Sequence, residues 1–136
     1  MTKTTSIEDI KKIVAEASDY RIGSPVIIDG RETYITTIPD EKGIIDGYNV
    51  SGDTLCHSKD ELEPVPLKEN FFLRHNSIFK KEGALYTCRG NSHVLSVTKD
   101  NICIVDAKEF GHVHKHELLY IMKELCNISI PTPDNS

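Results

Sequence analysis

Three histidines two residues apart, in His112-Val113-His114-Lys115-His116, are the residues of this chain whose type and spacing come closest to chemistry. Side chains two apart share one face of an extended segment, so three imidazoles there could meet one metal ion, with His93 and Cys103 on neighbouring strands as further donors. In a helix the same rings would fan out. A helix start falls inside this stretch and takes His116 out of the alternation. The reading that follows is a surface cluster with one histidine hydrogen-bonded to the backbone near a helix start, because a metal site needs tight ligand geometry and not proximity alone. The spacing assigns no catalytic, cofactor-binding or metal residue and implies no cofactor.

Other candidates are thinner. The carboxylates Asp40-Glu41, Asp60-Glu61 with Glu63, Asp100, Asp106 and Glu109 would have to converge in a cleft to act as a glycosidase or metal-nuclease pair. Nothing in their spacing makes them do so, and solvated faces are the expectation. There is no Gly-x-Ser-x-Gly elbow and no Gly-x-x-x-x-Gly-Lys-Ser/Thr loop. Gly23-Ser24 before Pro25 fits a turn. Cys56-His57 is an adjacent thiol–imidazole pair, but catalytic partners are normally distant in sequence. The four cysteines, Cys56, Cys88, Cys103 and Cys126, form no Cys-x-x-Cys step and read as free thiols behaving as small apolar groups. Arg74, Lys80-Lys81 and Arg89 mix with Phe71, Phe72, Phe79 and Tyr86, the composition of a single-strand nucleic-acid surface. The net charge of −5 favours core aromatics instead.

The elements that must position these residues read as one α+β domain over residues 1–130, with a polar tail at 131–136. A chain of 136 residues buries roughly two thirds of its unfolded surface, enough for a core without metal or disulfide. No run approaches the roughly 20 apolar residues of a membrane span. The polar start, Met1 to Ser6, has no signal-peptide core, which places the chain in a cytoplasm. Ile7, Ile10, Ile13, Val14 and Ala17 predict a helix over 6–18. Thr5 with Glu8, or Ser6 with Asp9, would cap it. Its stripe is expected to cover the meander that follows.

That meander occupies 20–67, with runs at 26–28, 33–38 and 43–50, and is expected to be SH3-like or barrel-like. Asp29-Gly30 is a hairpin turn signal, since a type I′ turn needs positive φ. Gly47 suggests a bulge or a close backbone approach. Pro64 and Pro66 make 61–66 an edge strand or a strap. A short helix over 68–75 follows. A second antiparallel meander of three or four strands comes next, at 84–88, 93–97 and 102–105, and a helix over 114–126 closes the fold. Ile128 and Ile130 are expected to pack back. The class is α+β: two small antiparallel β-meanders with an N-terminal, a short middle and a C-terminal helix.

Arg21-Ile22-Gly23 before Val26 and Asp29-Gly30, the Glu63-Pro64-Val65-Pro66-Leu67 step, and His114 with Leu119 and Tyr120 together resemble a group of small proteins common in gut Bacteroides genomes and their phages. That group carries no established activity. The resemblance implies a phage or mobile-element setting and nothing about chemistry. The added N-terminal helix and the lack of an aromatic-rich middle depart from it.

The functional expectation is a non-enzymatic protein-binding module of phage or mobile-element origin whose partner is a host or phage protein. It rests on compact size, absent catalytic spacing and edge strands able to accept a partner. A nucleic-acid-binding accessory protein using the Lys80-Lys81 region, and a metal-dependent enzyme using the histidine cluster, are the alternatives. The sequence leaves the oligomeric state open.

Overall fold

The computed structural model describes residues 6–130. Helix α1 spans Ile7–Glu16, and the Ser6 hydroxyl accepts the Asp9 N–H at 3.2 Å. This is the second of the two expected caps; Thr5 and the tail at 131–136 lie outside the described residues. The first sheet has the order β3-β2-β1-β4, with β1 at Pro25–Ile28, β2 at Arg31–Thr37, β3 at Asn49–Val50 and β4 at Glu63–Pro64. After α2, Glu69–Arg74, five strands follow as a meander: β5 Lys80–Glu82, β6 Leu85–Gly90, β7 His93–Val97, β8 Ile102–Val105 and β9 Lys108–His112. Helix α3, Lys115–Cys126, completes the fold. The class is α+β, with two antiparallel sheets and three helices.

Four expectations are corrected. The first meander is an open sheet and not a closed barrel, because its edge strands β3 and β4 are two residues long and pair only inward. The run at 43–50 is a strand only over Asn49–Val50; upstream of it the Asp40 carboxylate accepts the N–H of Ile44 at 3.0 Å and of Ile45 at 3.4 Å, a local alternative to ladder pairing. The second meander has five strands, since β5 and β9 lack an alternating apolar pattern. Helix α1 does not cover the first sheet: Ile10 and Ala17 join the large core with Leu118, Ile121, Met122 and Leu125 of α3 and Leu95 and Val97 of β7.

Two cores result. The large one lies between the five-stranded sheet and the helices, and takes in Phe71, Phe72, Phe79 and Tyr86. The small one holds Val26, Ile28, Ile35, Val50 and Leu62. Polar links join the halves: the Lys115 N–H donates to Val65 O at 2.8 Å, Asn101 Nδ2 donates to Leu67 O at 3.1 Å, and the buried Lys115 ammonium lies 3.0 Å from Glu32. Gly47 is a close approach, as expected, for a Cβ there would overlap Cys56 Sγ.

Candidate functional site

A cleft of about 170 Å³ opens where the entry to β1, the outer face of α3 and the segment after α3 meet. Its first wall is built by a local turn. Gly23 takes φ +93°, its N–H donates to Ile35 O at 2.7 Å, and the Arg21 N–H donates to the Ser24 hydroxyl at 2.8 Å. Only glycine adopts that φ without strain. The closed turn pushes Ile22 outward, where it is 67% exposed, and leaves Pro25 buried at the floor.

The second wall is one stripe of α3: His116, Leu119, Tyr120 and Lys123. Their spacing of three and four residues puts them on one helix face. Ser129 and Ile130 close the third side. Asn127 adopts the left-handed conformation and the Ile128 N–H returns to Met122 O at 3.3 Å, which turns the chain back over α3.

Arg21 is locked in place. Its Nη1 donates to Asp19 O at 2.9 Å and its Nη2 to Glu16 O at 2.6 Å, satisfying carbonyls at the end of α1. Its guanidinium carbon sits 3.7 Å from the centroid of the Tyr120 ring. The Tyr120 hydroxyl donates to Glu16 Oε2 at 3.2 Å, and burial together with that bond holds its pKa above the usual phenol value. Among the described residues neither Arg21 nor Lys123 forms an ion pair.

His116 contributes a ring and no reactive nitrogen. Its Nε2 donates to Ser18 O at 3.3 Å, its Nδ1 is enclosed without a partner, and Tyr20 lies 4.9 Å away ring to ring. Burial lowers its pKa, so the neutral ring is favoured. The cleft offers an apolar floor and a cationic rim. It presents no nucleophile beside a free base.

The histidine row is adjacent, contrary to the fanning that a helix start implies. His112 and His114 rings are 5.0 Å apart, and His114 and His116 are 6.3 Å apart. The nitrogens of His114 and His116 are engaged separately: Glu117 Oε1 accepts both the His114 backbone N–H at 2.9 Å and its Nδ1–H at 2.7 Å, as at a helix N-terminus, while His116 Nε2 turns to Ser18 O. His93 turns to Asp106 at 2.8 Å, and Cys103 is a core thiol whose pKa burial pushes up to about 12. Among the described residues no three His, Cys, Asp or Glu side chains come together as metal ligands.

The Cys56-His57 pair is not brought together as thiol and base. His57 is clamped by Glu61 Oε2 and Asp53 Oδ2, each at 2.8 Å, while Cys56 is exposed against Gly47. Phe71, Phe72, Phe79 and Tyr86 point into the core, Lys80 and Lys81 are exposed on β5, and Arg89 pairs with Glu82. The aromatics are core residues, as the net charge favoured, and the basic residues near them present no stacking rings. A second cavity of about 250 Å³ lies around Glu32, Lys68, Phe71, Arg74 and Lys115, and its innermost cation is taken up by the Glu32 pair. None of the described helices is long and apolar enough to cross a membrane.

Sequence reasoning missed the cleft because its walls come from opposite ends of the chain. One signal was present: the His116, Leu119, Tyr120, Lys123 spacing marks a helix edge both apolar and cationic. No protein-family model, curated protein or solved structure matches the chain.

Proposed function

We propose that this protein is a non-enzymatic protein-binding module that receives its partner in the Arg21–Lys123 cleft. The observation that carries the reading is Ile22, 67% exposed on a turn closed by hydrogen bonds between Arg21 and Ser24 and between Gly23 and Ile35, beside the half-buried Leu119, Tyr120 and Ile130. A rigid turn that holds a large apolar side chain in solvent beside an apolar groove is a feature of interaction surfaces. The resemblance of Arg21-Ile22-Gly23 and of His114 with Leu119 and Tyr120 supports a phage or mobile-element setting, with a host or phage protein in a bacterial cytoplasm as partner.

The test is capture of a partner from a host lysate by the immobilised chain, with Ile22→Asp and Leu73→Asp in parallel. Both positions are exposed, at 67% and 54%, so neither change disturbs a core. A companion lost with Ile22→Asp and kept with Leu73→Asp is the expected result. A companion indifferent to Ile22→Asp would remove the cleft from the account.

A further inference from the structure

We infer that the cleft selects an acidic segment of its partner, with one medium-sized apolar side chain on the floor and a neighbouring Asp or Glu carboxylate against Arg21 and Lys123. The inference rests on the protein-binding reading and names the chemistry of the partner.

Size comes first. An apolar cavity of roughly 150 Å³ holds a benzene ring, so a cleft of about 170 Å³ has room for one leucine- or phenylalanine-sized side chain. Its apolar lining is Pro25, Leu119 and Ile130, with the exposed Ile22 at the rim. His116 presents a buried neutral ring to this space, which suits an apolar neighbour.

Charge decides the rest. The chain carries a net −5, yet two cations line this one cleft. The hydrogen bonds of Arg21 go to the carbonyls of Glu16 and Asp19, and among the described residues it forms no ion pair with a carboxylate. The Glu16 carboxylate is bonded to the Tyr120 hydroxyl and does not line the cleft, nor does Glu124. The stack on Tyr120 fixes the guanidinium plane before any partner arrives. A guanidinium already held in place loses little side-chain freedom on pairing with a carboxylate. A basic segment would meet two like charges, which supplies discrimination as well as attraction.

A displayed library of random peptides about ten residues long, a length that one groove can engage, is selected on the immobilised full chain. The expected winners place an apolar residue beside Asp or Glu and bind more weakly as salt rises. Lys123→Glu should weaken them roughly 3- to 10-fold, the scale of reversing an exposed rim charge. Ile22→Asp should abolish binding and Leu73→Asp should leave it unchanged. Winners that are basic or uncharged, or that ignore Lys123→Glu, would overturn the inference. So would binding of a simple carboxylate such as hexanoate with no peptide selected. If no peptide is selected while lysate capture still depends on Ile22, the acidic segment is wrong and the protein-binding reading stands. If capture ignores Ile22, both fall.

Discussion

Two histidines make opposite demands on pH. His57 lies between Glu61 and Asp53, and hydrogen bonds to those carboxylates, Glu61 foremost, raise its pKa above 6.5. A raised folded pKa gives stability that is full below the unfolded value and is lost as pH climbs through the folded one. His116 is the reverse: burial lowers its pKa below 6.5. The folded state then resists the proton that the unfolded chain accepts, and stability falls as pH drops below the unfolded value. Urea denaturation across about pH 5 to about pH 9, a range spanning the histidine pKa, should show His57→Asn flattening the alkaline decline. His116→Phe should flatten the decline just below neutrality. An unchanged profile in either variant would contradict the corresponding assignment.

Hairpins carry both sheets, and their turns vary in chemistry. Asp29-Gly30 has φ of +50° and +76°, the turn that the dipeptide announces. Asp106-Ala107 has φ of +50° and +73° between β8 and β9 without any glycine. The Asp106 carboxylate braces it by accepting the Val94 N–H at 2.9 Å and facing His93 Nδ1 at 2.8 Å. Alanine in the left-handed region is strained by roughly 1–2 kcal/mol. Ala107→Gly should therefore raise stability by about 0.5–1 kcal/mol, net of glycine's greater unfolded-state freedom. Gly90 fills the opposite role. A Cβ there would overlap the Cys126 carbonyl oxygen and sit 3.1 Å from Cys126 Cβ. Gly90→Ala should cost about 1–3 kcal/mol, as overpacking does, and denaturant midpoints would measure both changes.

At the scale of the molecule, the two cores differ greatly in extent. The small sheet holds Val26, Ile28, Ile35, Val50 and Leu62, whereas the large core draws on three helices and the β6–β8 strands. Local opening follows buried apolar contact. Amides of Val26, Ile28 and Ile35 should therefore exchange hydrogen faster than those of Leu95, Val97 and Leu118. Equal protection would mean that the polar links at Lys115 and Asn101 bind the halves into one cooperative unit. The cleft spans that division, with Arg21–Pro25 at the entry to β1 of the small sheet and α3 in the large core. Partner binding is thus expected to slow exchange in β1 more than in β7, which the same experiment reads.

The sequence by itself determined what local chemistry governs. It marked α1 and α3 by apolar spacing, the Asp29-Gly30 hairpin by its turn pair, the edge position of Glu63–Pro64 by proline, and the Gly47 approach by its lack of a side chain. Tertiary structure alone decided what depends on distant partners. Helix α1 covers α3 because the large core offers more apolar surface than the small sheet. The first sheet stays open because its edge strands are too short to meet. The three histidine rings lie side by side, but Glu117 and Ser18 claim separate nitrogens. Arg21 meets Tyr120 only when the end of α1, the turn before β1 and the outer face of α3 come together. No periodicity of 2 or about 3.6 residues encodes that meeting, because such patterns report which face is buried and not what it is buried against.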